Sequence, residues 1–166
     1  MIKTKAFTAI YGELPEELEP CIESQKRHYP WLEIIKRDPL ETVQATRFAS
    51  DILRLELAAE HNDFIWFDWD ILLSPDWEHP ESEKPIFVPP VRQLPTQSLV
   101  PDIYIIAHLG QQEFFKELLD ARNKYDSPFW YRKHLRKNQH RVTLLGTEGY
   151  NHLAHTTKQL KGVKNG

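Results

Sequence analysis

The apolar run F-I-W-F at residues 64–67 is followed immediately by the acidic triplet Asp68-Trp69-Asp70. The run is too short for a helix, and the turn-forming pair Asn62-Asp63 precedes it, so it predicts a buried β-strand. In open α/β sheets, ligands bind outside the carboxyl ends of the strands. The sequence therefore predicts that two carboxylates lie at the edge of a sheet where a ligand would bind.

The segment before this strand has the periodicity of a helix. Its apolar residues follow the i, i+3, i+4, i+7 spacing and are expected to form a buried face: Ala45, Phe48, Ile52, Leu55 and Ala59. Arg47, Asp51 and Arg54 fall on a different stripe, within about 60° of one another at 100° per residue. A helix with an Arg-Asp-Arg stripe thus leads directly into the strand that ends in two acids.

Strand and helix patterns alternate along the rest of the chain, which is typical of an α/β fold. Strands are predicted at 5–11, 31–36, 64–67, 85–88, 102–107 and 141–145, and helices at 20–28, from 41 onward, at 110–124 and at 129–137. Prolines are spread through residues 74–97, so a loop with one short strand is expected there.

Composition excludes several classes of protein. With 166 residues, 40% of them hydrophobic, the chain predicts one domain over residues 1–157 and a flexible polar tail over 158–166. A net charge of −3 disfavours nucleic-acid binding. The single cysteine, Cys21, fits a reducing compartment, and no apolar stretch is long enough to cross a membrane or act as a signal peptide. We therefore expect a cytoplasmic protein without a membrane partner.

The run S-D-I-L-R at residues 50–54, a helix, an aromatic strand and the D-x-D at 68–70 together resemble the retaining glycosyltransferases that carry a DXD motif. That group includes the yeast Golgi mannosyltransferases that initiate outer chains and the catalytic domains of the large clostridial glucosylating toxins. The similarity covers about residues 46–73. It implies a single-domain, Rossmann-like nucleotide-diphospho-sugar transferase fold, the type-A glycosyltransferase fold, with a mostly parallel sheet.

Two features depart from the pattern of this family. His61-Asn62-Asp63 stands where family members usually have Gly-Gly, although Asn and Asp tolerate the backbone of a tight turn. The chain is also shorter than a typical catalytic domain of the family, and the part expected to be missing contacts the acceptor.

The resemblance implies a donor site. Asp51 would hydrogen-bond to hydroxyls of the donor sugar, Arg54 would reach the sugar or its diphosphate, and Asp68 would contribute to donor binding. Tyr11, at the end of the first strand, would stack on the nucleotide base in place of a tryptophan. The alternatives are a core position for Tyr11 and an exposed intrahelical ion pair for Asp51 and Arg54, worth about 0.3 to 0.5 kcal/mol.

A divalent cation is expected beside the strand. In an extended backbone Asp68 and Asp70 project to the same side, and two close carboxylates repel unless a cation lies between them or one keeps a proton. Mn²⁺ or Mg²⁺, with further oxygen ligands from a diphosphate, would satisfy both. The alternative is an acidic turn that faces water. The resemblance also implies a polar residue near the C-terminus that closes over the metal, for which His155, or His152, is the candidate.

These features predict a metal-dependent glycosyltransferase that transfers a sugar from a nucleoside diphosphate sugar to an unknown acceptor, with retention of configuration as the resemblance implies. No catalytic residue can be named. One alternative is a non-catalytic relative that serves as a binding or interaction domain. Another is a metal-dependent phosphohydrolase, if the two histidines converge on Asp68 and Asp70. The sugar, the base, the acceptor and the oligomeric state stay open.

Overall fold

The structure is a computed structural model that describes residues 4–89 and 101–153. Its strands and α-helices follow in the order β1 (Lys5–Tyr11), α1 (Glu19–His28), β2 (Glu33–Arg37), α2 (Val43–Glu60), β3 (Asp63–Phe67), β4 (Ile71–Leu73), β5 (Ile86–Val88), β6 (Asp102–Leu109), α3 (Gln112–Asp120), α4 (Trp130–Lys137), β7 (Thr143–Leu144) and β8 (Tyr150–His152). The predicted tail 158–166 and His155 lie outside the described residues. None of the described helices is long and apolar enough to cross a membrane.

Six strands form one sheet in the order β2-β1-β3-β6-β5-β7. β1 runs parallel to β2 and to β3, and β5 runs parallel to β7, whereas β6 is antiparallel to both of its neighbours. β4 and β8 pair in a separate antiparallel ribbon. The predicted α/β fold with a mostly parallel sheet is confirmed.

β3 is buried on both faces, which explains its continuous apolar sequence. Phe64 and Trp66 belong to a core cluster with residues of α2, α3 and α4. Ile65 and Phe67 alternate with them and join a second cluster that includes Trp77 and residues of β4. The chain that leaves β3 at Asp68 is therefore held firmly, because every side chain from 64 to 67 is at most 1% exposed.

The sequence did not predict the ribbon of β4 and β8. Each strand has only three residues, too few for a periodic pattern, and the partner of Ile71 is His152, far along the chain. His152, one of the two histidine candidates, lies in β8.

The buried face of α2 also differs from the prediction. Leu55 is fully buried, but Phe48 is 38% exposed, and Ala45 and Ile52 are only partly buried. The buried residues of the helix include the polar Thr46 and Arg54 beside the apolar Val43, Leu55 and Ala58. The buried face of the helix thus combines Arg54 of the polar stripe with Leu55 of the apolar stripe, and Phe48 of the apolar stripe is left exposed.

α2 begins with a side-chain cap. Thr42 is the N-cap residue, and its Oγ1 accepts a hydrogen bond from the Ala45 amide at 3.0 Å. The helix ends at Glu60, and His61 has an extended backbone. The cap sets the start of the helix that carries the Arg-Asp-Arg stripe.

Replacing Thr42 should therefore destabilise the protein through this cap. We expect Thr42→Ala to lower the free energy of unfolding by about 1 kcal/mol, because one amide of the first turn loses its acceptor. Thr42→Ser keeps the hydroxyl and should stay within about 0.5 kcal/mol of the wild type. Urea denaturation followed by circular dichroism measures both, and equal stability of the two variants would contradict the capping role.

Candidate functional site

A cavity of about 510 Å³ lies at the carboxyl ends of β1 and β3, where β6 begins. Its walls combine carboxylates, arginines and aromatic rings, among them Tyr11, Asp51, Arg54, Trp66, Asp68, Asp70, Asp102, Tyr104 and His152. α2 and the end of β3 therefore bring Asp51, Arg54, Asp68 and Asp70 to one cavity. The last part of α2, a turn and β3 separate the Asp51-Arg54 pair from the Asp68-Asp70 pair in sequence.

The guanidinium of Arg54 is buried in the wall of this cavity. Its Nε donates to the Ser50 carbonyl at 3.1 Å, and its Nη2 donates to Ser50 Oγ at 2.7 Å. Its Nη1 donates to Asp68 Oδ1 at 2.6 Å and to the Ile103 carbonyl at 2.9 Å. The guanidinium carbon lies 4.9 Å from the ring centre of Trp66.

Four of the five N–H groups of Arg54 thus bind protein acceptors, and Nη2 also lies 3.6 Å from Asp51 Oδ1. A guanidinium binds a phosphate best with two parallel N–H groups. Because Arg54 has no free pair, its geometry favours a role in holding Asp51 and Asp68 over direct contact with a diphosphate.

Asp68 is fixed by hydrogen bonds at both its side chain and its backbone. Its Oδ1 also accepts from Trp66 Nε1 at 2.8 Å. The Ile71 amide donates to the Asp68 carbonyl at 3.2 Å, so the acidic triplet forms a turn and not the extended backbone in which Asp68 and Asp70 would project to the same side. Gln25 of α1 donates to the same carbonyl at 3.1 Å and ties the turn to that helix.

Asp70, which directly precedes β4, contacts His152 of β8. Asp70 Oδ2 lies 3.2 Å from His152 Nε2, and the Leu153 amide donates to the Asp70 carbonyl at 3.0 Å. The ring of Tyr104 stacks on the His152 imidazole at 4.2 Å and 13°. Asp70 Oδ1 is buried without a hydrogen bond in the described part of the chain.

Burial changes the acidity of the cavity's carboxyl groups. It raises the pKa of Asp51 to about 6, against the opposing effect of Arg54 and Arg47. It also raises the pKa of Asp68, where Arg54 opposes the shift and the charge of Asp70 adds to it. Burial alone would lower the pKa of His152, but the hydrogen bond and charge of Asp70 outweigh it, so this pKa is raised.

A complete protein-only metal site is absent from the described residues, since no three His, Cys, Asp or Glu side chains there are arranged to hold an ion. The donors nevertheless suit a divalent cation. Asp70 has an oxygen without a partner and lies beside an imidazole nitrogen, and a hard cation takes oxygen and nitrogen ligands. Asp68 has only one oxygen left, because Arg54 and Trp66 occupy the other.

Tyr11 lines the cavity at the end of β1, with 8% of its surface exposed. Gly12 follows it with φ +81°, a conformation that glycine adopts without strain, and the chain turns away there.

Of the two histidines predicted near the metal, the structure brings His152 to Asp70. Neither Tyr104 nor Ser50 was predicted as a site residue from the sequence, and only the position of Ser50 next to Asp51 could have signalled its contact with Arg54.

No protein-family model matches the sequence, and no curated protein matches it. Solved structures do. A glycosyltransferase involved in the glycosylation of the major capsid of PBCV-1 matches with a TM-score of 0.53 and 14% identity, over 94% of this chain and 96% of that one. A197 from STIV has a TM-score of 0.46 and 13% identity, over 87% of this chain and 82% of that one. The bifunctional glycosyltransferase WbbM has a TM-score of 0.42 and 11% identity, over 86% of this chain and 38% of that one. The first similarity supports the type-A glycosyltransferase fold.

The buried charge of Arg54 should make this residue critical for stability. Arg54→Leu leaves Asp68 without its cation, so we expect the free energy of unfolding to fall by about 3 to 5 kcal/mol. Arg47 lies on the same helix but is exposed, and Arg47→Leu should change stability by less than about 0.5 kcal/mol. Chemical denaturation of both variants provides the measurement, and similar losses in the two would disprove the role of the buried pair.

Asp51 should make stability fall as the pH rises. Its folded pKa of about 6 exceeds the ordinary value of 3.8, so the native state binds the proton more tightly than the unfolded chain does. The stability from this proton is fully present below the unfolded pKa and is lost as the pH rises to about 6. Relative to Asp51→Asn, the wild type should lose on the order of 1 to 3 kcal/mol between pH 4 and 7.

Glu117 supplies a control of opposite sign. Its hydrogen bond from Arg141 lowers its pKa, so the wild type should gain stability relative to Glu117→Gln as the pH rises. Denaturant titrations at several pH values measure both differences. The burial of Asp51 would be contradicted if its difference had the same slope as that of Glu117.

Proposed function

We propose that this protein binds a nucleoside diphosphate sugar in the cavity at the ends of β1 and β3 and transfers the sugar to an acceptor, in a metal-dependent reaction that retains the anomeric configuration. The observation that carries the proposal is the convergence of the two motif pairs, Asp51 with Arg54 and Asp68 with Asp70, on one cavity of about 510 Å³. That volume lies within the usual range of small-molecule sites.

The donor would be held by side chains with different tasks. Asp51 accepts hydrogen bonds from sugar hydroxyls, and Tyr11 stacks on the base. Arg54 acts mainly through its neighbours, because its N–H groups already bind Ser50, Asp68 and Ile103. We class it as a positioning residue in this proposal.

The cation, Mn²⁺ or Mg²⁺, would be held by Asp70 and His152, with Asp68 contributing directly or through water. Of the two histidine candidates, we assign this role to His152, because it lies beside Asp70 in the described part of the chain. When bound, such a cation neutralises the charge that develops on the departing diphosphate. Tyr104, stacked on His152, keeps the imidazole oriented toward Asp70.

Calorimetry with a panel of nucleoside diphosphate sugars, with and without Mn²⁺, tests the proposal. At least one donor should bind with a Kd below 1 mM only when Mn²⁺ is present. Asp70→Asn halves the charge presented to the ion and should weaken this binding by roughly tenfold or more. Asp76→Asn removes an exposed carboxylate outside the cavity and should leave it unchanged.

The outcome also separates the other two candidate functions. Metal-dependent donor binding without transfer or hydrolysis would indicate a binding or interaction domain. Release of phosphate from phosphomonoesters, without donor binding, would indicate a phosphohydrolase, for which the contact of His152 with Asp70 is the supporting observation. Failure of every donor to bind at millimolar concentration would refute the glycosyltransferase proposal.

A further inference from the structure

The outer face of α2 carries an apolar groove of about 640 Å³. Leu40, Ala45, Phe48, Ile52 and Leu53 line it. Leu40 is 48% exposed and Phe48 38% exposed, so among the described residues the groove is open to solvent. An apolar patch of this kind on a soluble domain usually marks a binding surface.

The groove is continuous with the cavity proposed for the donor. Gln44, Phe48 and Pro128 line both, so these three residues lie at the boundary where the groove meets the cavity. The ring of Phe48 is held there by an edge-on contact with Trp130 at 5.3 Å. A molecule that lies in the groove would therefore reach the cavity at Phe48.

The mouth of the cavity next to this wall is cationic. Arg47 and Arg132 line the cavity, are both exposed, and form no ion pair within residues 4–89 and 101–153. Arg132 instead stacks on the ring of Phe129, with its guanidinium carbon 4.4 Å from the ring centre. This stacking leaves the edge N–H groups of Arg132 available for an anion.

We propose that the acceptor is an anionic amphiphile, whose hydrocarbon chain lies in the groove of α2 and whose anionic group binds Arg132 and Arg47 at the mouth of the cavity. The assignment rests on the proposed glycosyltransferase function and names its acceptor class. A purely polar acceptor would leave Leu40 and Phe48 exposed to water. A neutral acceptor would make no use of the two exposed arginines that line the cavity.

Decyl phosphate, used below its micelle concentration, is the probe, and calorimetry measures its binding. It should bind more tightly than decyl maltoside, which has the same chain and a neutral head, and than inorganic phosphate, which has no chain. Leu40→Ser should weaken decyl phosphate binding by about fivefold. Leu109→Ser, at the opposite end of β6 and 60% exposed, is the matched control and should not change it.

The headgroup has its own pair of variants. Arg132→Gln should weaken decyl phosphate by roughly tenfold and leave decyl maltoside unchanged, because it removes a charged donor. Arg136→Gln, on the same helix but outside the cavity, should leave both unchanged. Equal effects of Arg132→Gln on the two amphiphiles would overturn the assignment of the anionic group.

Three further results would overturn the acceptor assignment. The first is that Leu40→Ser and Leu109→Ser bind decyl phosphate equally well. The second is that the wild type self-associates in sedimentation and Leu40→Ser does not, which would give the groove to a second copy of the chain. The third is that decyl phosphate binds but no donor does. Donor binding with Mn²⁺, measured without amphiphile, is independent of the groove, so it can succeed when the acceptor assignment fails.

Discussion

The burial of one guanidinium organises the functional end of this fold. Arg54 joins its own helix through Ser50, the end of β3 through Asp68 and the start of β6 through the Ile103 carbonyl. An unpaired charge in such a position would be unstable, because its hydration is lost. The carboxylates of Asp51 and Asp68 and the face of Trp66 compensate it, and the same contacts hold both carboxylates at the cavity.

The buried part of the cavity nevertheless carries more acidic than basic side chains. Asp51, Asp68, Asp70 and Asp102 line it, and Arg54 is the buried cation among its described residues. Burial is the largest cause of the raised pKa of Asp51 and of Asp68. The charge of Asp70 adds to the rise at Asp68, and its hydrogen bond and charge raise the pKa of His152. A bound cation would relieve this repulsion, which is why the local electrostatics and the proposed metal support each other.

Part of this arrangement could be predicted from the sequence. The strand 64–67 and the helix before it follow from local patterns, and their junction fixes where Asp68 and Asp70 leave the sheet. The family resemblance linked Asp51 and Arg54 to those acids. The pairing of β4 with β8 could not be predicted, because two three-residue strands distant in sequence carry no local signal. For that reason only the structure could reveal the contact of His152 with Asp70.

The buried face of α2 is the other feature that sequence patterns missed, and it links the two halves of the proposed site. Hydrophobic periodicity assumes that apolar side chains face the core, but here Arg54 must face the sheet to meet Asp68. Ile52, two residues earlier, then lies about 160° away around the helix. Burying Arg54 beside the cavity therefore leaves Phe48 of the apolar stripe exposed, although Leu55 stays buried. One helix thus separates a polar cavity from an apolar groove, and Phe48 lies where the two meet.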